Sequence, residues 1–259
     1  MEWIALTSRQ NPVVKRVVSL RDKKKRDEAG IFPVEGIKFI EDLSADGVYP
    51  SLLFLSEDAR IDRTRAEDLA GDAASLYFVS PDVYEKISLE RAGEGVLAVY
   101  DKSCLPVPGD ERRVLALEGV QDPGNVGACI RSAAAFGFDG VWLTGCADPL
   151  GYKALRASMG AVFRIPLTVF AAGAEMLSRA REKDLFTVAA CLSEDAEPLS
   201  AIDLNRPVCL FIGSEGQGLT PAISSGADRR AVIPMRGMES VNASVAAAVF
   251  MWEVVRREA

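Results

Sequence analysis

Not one of the 259 residues is a histidine. This absence excludes a Ser-His-Asp triad, a histidine general base and the common histidine-ligated zinc sites. Any catalysis must rest on other side chains, backbone groups or an organic cofactor. Long apolar runs are also missing: no stretch approaches the roughly 20 residues that span a bilayer. MEWIALTSRQ lacks the basic-then-apolar pattern of a secretory signal. Cysteine is sparse and scattered, at Cys104, Cys129, Cys146, Cys191 and Cys209, with no CxxC pair. The expectation is five reduced, mostly buried thiols, no metal, no membrane partner and a cytoplasmic location.

Acidic residues exceed basic ones, giving a net charge of −7. The distribution is uneven. Residues 1–40 carry nine Lys/Arg against five Asp/Glu, whereas residues 41–111 carry six against sixteen. The basic excess centres on RDKKKR, with Lys15, Arg21, Lys23, Lys24, Lys25 and Arg26 as candidate phosphate contacts. A solvated helix face explains the same run.

About half the residues are apolar, enough for a real core, and the length suits two domains. PVVKRVVSLRDKKKR reads as a helix carrying Val13, Val17 and Leu20 on one face. IFPVEGIKFIEDL reads as strand, turn and helix, and LLFLSED, SLYFVS and GEGVLAVY as further strands. Together they predict a small α/β domain over 1–104. DKSCLPVPGDE has two prolines and no periodicity, which places a linker at 105–111. Over 112–259 the alternation strengthens, with strands VLALEGV, GVWLTG, FRIPLTVF, LFTVAACL, VCLFIGSE and RRAVIPM separated by helices. This predicts an α/β domain with a mostly parallel sheet covered on both faces.

Three segments of this domain could carry chemistry. EGVQDPGNVGACIRS (118–132) is a strand end, a turn and a helix start, with Asn125 suited to an N-cap and Gly127 to a close approach. Arg131 in it also fits an ordinary helix-surface arginine. LFIGSEGQGLT (210–220) crowds Gly213, Gly216 and Gly218 around Glu215 at a strand end, where such sheets bind ligands. Its glycine order does not match a dinucleotide fingerprint, and a simple glycine-rich turn is the alternative. In VIPMRGMESVNASVAAAVFMWEVV (232–255), Ser240 or Asn242 could cap an alanine-rich helix. That helix fits either the interior of one subunit or an interface between two copies.

Taken together, the three segments resemble the SpoU/TrmH branch of the SPOUT RNA methyltransferases. The resemblance rests on NVGACIRS, FIGSEGxGL and IPM followed by Ser240-Val241-Asn242-Ala243-Ser244, and it covers 112–259. NPVVK, the basic run and FPVEG resemble, more loosely, the small RNA substrate-binding domain attached to many rRNA-directed members. The resemblance implies a C-terminal trefoil knot, S-adenosyl-L-methionine as cofactor, a homodimer formed through the knotted domain, and methyl transfer to a ribose 2′-hydroxyl in RNA, with 23S rRNA as the expected target. By motif position it implies a cofactor site at Gly213, Ile233, Met235 and Val241, and catalytic roles for Arg131, Asn125, Glu215, Ser240 and Asn242. Alternatives within this frame are methylation of tRNA or of a base, or an RNA-binding assembly module without turnover.

Overall fold

The structure is a computed structural model, and it describes residues 2–72, 74–237 and 240–256. The chain divides into two compact units, one of Met1–Leu105 with Leu150–Tyr152 and one of Pro106–Pro149 with Lys153–Ala259.

The first unit runs β1 (Trp3–Leu6), α1 (Pro12–Ser19), α2 (Lys23–Ala29), β2 (Ile31–Glu35), α3 (Ile37–Ala45), β3 (Leu52–Ser56), α4 (Arg63–Ala70), β4 (Ser75–Val79), α5 (Pro81–Ile87) and β5 (Val96–Asp101). Its sheet has the order β1-β4-β3-β5-β2. The first three of these strands are parallel, while β5 is antiparallel to both its neighbours. Val14, Val17 and Leu20 pack with Phe54, Val83, Leu97 and Val99 in the core. The single helix expected over 12–26 is two. Asp22 adopts an extended conformation and its carboxylate caps Lys25 N–H, starting a new helix.

That break corrects the reading of the basic run. Arg26 is buried, and its guanidinium donates to the carbonyls of Leu20 (2.6 Å) and Arg21 (2.9 Å), tying the two helices together. Arg26 is therefore no phosphate contact. Arg21 donates to the carbonyls of Lys86 and Ser88. Lys23 and Lys25 pair with Asp27 and Glu28, while Lys15 and Lys24 are exposed. Glu35 of FPVEG is likewise structural: buried, it accepts from Tyr84 Oη (2.6 Å), Ser88 Oγ (2.7 Å), Leu89 N (2.5 Å) and Glu90 N (3.2 Å).

The second unit runs β6 (Arg113–Glu118), α6 (Pro123–Ala135), β7 (Gly140–Thr144), α7 (Tyr152–Ser158), β8 (Leu167–Val169), α8 (Gly173–Glu182), β9 (Phe186–Ala190), β10 (Glu197–Pro198), β11 (Val208–Gly213), α9 (Pro221–Ser224), β12 (Arg229–Val232) and α10 (Ala243–Val255). Seven strands form one sheet in the order β10-β12-β9-β11-β6-β7-β8, with every pairing parallel. Apolar strands such as VLALE and VCLFI are buried along nearly their whole length, as a sheet covered on both faces requires. Phe211, Trp142, Met176 and Ile223 anchor one side of its core.

The expected strand FRIPLTVF is mostly not a strand. Met159 and Gly160 take left-handed conformations, a single 3-10 turn follows at Ala161–Phe163, and only Leu167–Val169 pairs with β7. The last helix was expected to reach Arg257, which lies outside the described residues. Cys129 and Cys209 are buried and the other three cysteines half-buried, so burial holds for two of the five. Among the described residues no helix is long and apolar enough to cross a membrane, and no cluster of metal-ligating side chains occurs.

Candidate active site

The strand order builds the site. β11 lies between β6 and β9, and β12 is next beyond β9. All run parallel, so the loops after β6, β11 and β12 emerge together at the carboxyl edge of the sheet. The register sets Gly213 opposite Glu118. The three sequence motifs occupy those three loops.

In the first loop, Asp122, not Asn125, caps α6. Its carboxylate accepts from Asn125 N at 2.8 Å, and Pro123 fills the first turn. The Asp-Pro pair carried this signal in the sequence. Asn125 is thereby inside the first helical turn, and its side chain is available for longer contacts. Gly127 meets backbone: a Cβ there would stand 2.4 Å from Ala154 O and 2.9 Å from Ser158 N of α7.

In the second loop, Ser214 and Gly218 form a bridge that closes a tight turn, with Gly218 N donating to Ser214 O at 2.9 Å. A Cβ on Gly213 would fall 2.2 Å from Gly218 C and 2.4 Å from Leu219 N. Gly213 is therefore glycine because the turn folds back onto it. Buried Glu118 holds the far side of the turn, accepting from Thr220 N (2.7 Å) and Thr220 Oγ1 (3.0 Å). Sequence reasoning missed Glu118, whose signal was an acidic residue ending an apolar strand.

The third loop leads into α10. Asn242 caps this helix, its Oδ1 accepting from Ser244 N (2.9 Å) and Ser244 Oγ (2.6 Å). Its Nδ2 donates to Asn125 Oδ1 at 3.0 Å. Asn125 Nδ2 donates in turn to Glu215 Oε1 at 2.5 Å, which also accepts from Ala243 N at 3.3 Å. Asn125, Glu215 and Asn242, far apart in sequence, thus form one hydrogen-bonded chain with one member from each motif.

Arg131 and Ser240 lie outside this chain. Arg131 is exposed on α6, six residues past Asn125 and so about 120° around the helix. Among the described residues it forms no ion pair or hydrogen bond. On the buried face of α6, burial pushes the Cys129 thiol up to about 12, with smaller contributions from Cys146 and the Glu215 carboxylate.

A cavity of about 630 Å³ opens at the ends of β9, β11 and β12, within the range of small-molecule sites. Gly213, Ile233, Met235 and Val241 all line it, as do Glu215 and Ser240. Leu192, Asp195 and Arg230, which sequence reasoning did not single out, form part of its wall. Arg230 donates to Asp195, and a hydrogen bond from Ser193, together with that pairing, holds the Asp195 carboxyl below its usual range.

Comparisons with known proteins agree with this architecture. The SpoU rRNA Methylase family matches residues 112–252, and the MRM3-like substrate binding domain matches residues 11–98. A Synechocystis protein named as an uncharacterized tRNA/rRNA methyltransferase is 31% identical, over 98% of this chain and 94% of its own. RlmP of Bacillus subtilis, a 23S rRNA guanosine 2′-O-methyltransferase, is 28% identical over 96% of this chain and 98% of its own. The structure of an AdoMet-bound rRNA methyltransferase from Sinorhizobium meliloti superposes with a TM-score of 0.84 at 30% identity, covering 98% of each chain. The chain belongs to the SpoU rRNA methylase family of RNA methyltransferases.

Proposed function

We propose that this protein transfers a methyl group from S-adenosyl-L-methionine to a ribose 2′-hydroxyl in 23S rRNA. The observation that carries the reading is the Glu215–Asn125–Asn242 chain, whose Glu215 lines the cavity. The relatives named as 23S rRNA guanosine 2′-O-methyltransferases favour this target over tRNA.

The cavity suits the cofactor. Ile212, Val232, Ile233 and Phe250 offer apolar contact, while Ser193, Asp195, Glu215 and Arg230 bring polar groups to the same wall. Gly213, Ile233, Met235 and Val241 would hold it. When bound, the cofactor supplies an electrophilic methyl group, so no metal is required.

The chain's own residues position the acceptor. Asn125 and Asn242 fix each other's amides, and Glu215 fixes Asn125, which leaves a preset polar surface for the ribose with Ser240 beside it. A guanidinium stays protonated at neutral pH, so Arg131 is a poor base. Its charge instead positions a phosphate and stabilises the alkoxide that develops as the hydroxyl passes its proton to solvent water at this exposed site; the cofactor would leave as the neutral thioether.

The first unit supplies RNA affinity, through Lys15 and Lys24 and through Lys23 and Lys25 once their ion pairs exchange. Exposed Val245, Val249 and Trp252 share one stripe of α10, and we assign this stripe to a homodimer interface. The knot belongs to the same proposal. It is supported by α10, which follows the third loop and packs against α6 and β11.

The test is tritium transfer from S-adenosylmethionine to in-vitro-transcribed 23S rRNA, followed by nucleoside analysis for a 2′-O-methyl product. Arg131→Ala should abolish transfer while cofactor affinity, by calorimetry, stays within about threefold. Undiminished turnover by Arg131→Ala would remove Arg131 from the mechanism. A methylated base in place of a methylated ribose would overturn the reaction proposed.

A further inference from the structure

α7 ends in an unusual way. Met159 has φ +49°, in the left-handed region, and Gly160 follows at φ +81°. Non-glycine residues found there are mostly Asn, Asp or His, and methionine pays a steric penalty. Packing does not offset it, because Met159 is 61% exposed. The surroundings are nonetheless well ordered by their contacts. Ser158 is fully buried with its Oγ on Leu155 O at 2.8 Å, and Ala161 and Val162 are buried just beyond. An apolar side chain is thus held out to solvent by a firmly anchored turn.

The turn lies against the helix that carries Arg131. A Cβ on Gly127 would stand 2.6 Å from Ala157 Cβ and 2.9 Å from Ser158 N, so the end of α7 rests directly on α6. Arg131 is four residues past Gly127 on the same helical face, about 6 Å along the axis. Helical side chains lean back toward the preceding turn. Arg131 and Met159 therefore flank one contact on a face of α6 that Asn125 does not share. A cation without a partner among the described residues and an exposed thioether across the same helix contact match the two halves of a nucleotide: charge for the phosphate, and a polarisable apolar surface for the base.

We propose that Met159 is a specificity-determining residue whose thioether lies against the base of the acceptor nucleotide. The inference rests on the ribose-methyltransferase reading above. A second copy of the chain covering Met159 would be the competing occupant.

Met159→Gly provides the test, since glycine accepts the left-handed backbone and removes only the side chain. With 23S rRNA transcript and tritiated S-adenosylmethionine, this variant should show KM for RNA raised by roughly two- to tenfold, the span of sulfur–aromatic contacts. Its melting temperature should equal or exceed that of the wild type, and its cofactor affinity and oligomeric state should not change. Met159→Leu, which keeps apolar surface, should recover most of the loss. A Met159→Gly protein with wild-type KM would overturn the inference, and so would a shift in its oligomeric state by light scattering. Wild-type protein that transfers nothing to the transcript would instead overturn the reading beneath it.

Discussion

Asn242 does two separable things, and Asn242→Asp and Asn242→Ala part them. Its oxygen caps α10 through Ser244, and its amide nitrogen donates to Asn125 Oδ1 at 3.0 Å. Aspartate keeps the cap, and at a helix N-terminus its charge gains about 0.3–1 kcal/mol. It has no hydrogen to donate, so two oxygens face each other where the bond was. Losing the bond costs about 0.5–1.5 kcal/mol. The new charge, one side chain removed from Glu215, costs up to about 1 kcal/mol more in this exposed setting. The net loss for Asn242→Asp is then about 0–2 kcal/mol. Alanine loses the bond and also the cap, which is itself worth about 1 kcal/mol, for a total of about 1–3 kcal/mol. At about 2–4 °C per kcal/mol for a domain of this size, Asn242→Ala should melt several degrees lower than Asn242→Asp. Methyl transfer should rank the other way. Both variants should fall at least about tenfold, and the aspartate should be the worse, because it repels the oxygen that the amide used to hold. Thermal unfolding and tritium transfer, measured on the same preparations, read out the two orders. Wild-type turnover by Asn242→Asp would refute the role of the Asn125–Asn242 bond, and equal melting of Asn242→Ala and wild type would refute the cap.

Gly213→Ala should push the 214–218 turn off the strand end, because the clash is with backbone at 2.2–2.4 Å. Overpacking of this kind costs about 1–3 kcal/mol, and calorimetry should show cofactor affinity lowered by at least about tenfold. Glu35→Ala removes the acceptor of Tyr84 Oη and Leu89 N, while Ser88 Oγ and Glu90 N keep their bonds to each other's residue; urea unfolding should show a loss of about 2 kcal/mol or more, with Glu35→Gln intermediate. The raised Cys129 thiol makes stability alkali-sensitive. The folded state keeps the proton up to about pH 12 while the unfolded thiol ionises near its ordinary 9, so stability is full below pH 9 and is lost between pH 9 and 12. Tyr84 and Tyr100, pushed up by burial, act in the same direction at higher pH. Melting curves from pH 8 to 10.5 should fall less steeply for Cys129→Ala than for wild type.

The strands over 52–56, 75–79, 96–101 and 208–213 were legible because their apolar runs are continuous and end at polar or glycine-rich turns. β1 was not. It is a four-residue edge strand with only Leu6 fully buried, too short and too exposed to show a period. The break between α1 and α2 was hidden because the apolar positions of the first helix run on into the charged segment. Only the capping geometry of Asp22 reveals it. Arg26 shows the limit of reading charge from sequence: its neighbours in RDKKKR are exposed, and it alone is buried, its guanidinium held on two carbonyls. At the site, residue types were legible and their bonds were not. Asn125 and Asn242 are 117 positions apart, and no periodicity predicts that their amides meet.

These distant meetings explain how an exposed site can still be precise. Glu215 and Asn242 lie at the surface, and hydrogen bonds between surface groups contribute little on their own. Their positions must come from the backbone beneath them, and each motif has a backbone constraint of its own. Gly127 seats α6 on α7, Gly213 lets the second turn fold onto its own strand, and Asn242 fixes the first turn of α10. The polar chain then joins three frames that are already set. Arg131 is the one charged residue among the expected catalytic groups that this chain leaves without a partner among the described residues. On the proposed mechanism, burying it in an ion pair would neutralise the charge that is to meet a phosphate. The cost is exposure of an arginine on a helix whose next face is packed, and the consequence is a cation positioned by α6 and open to a substrate.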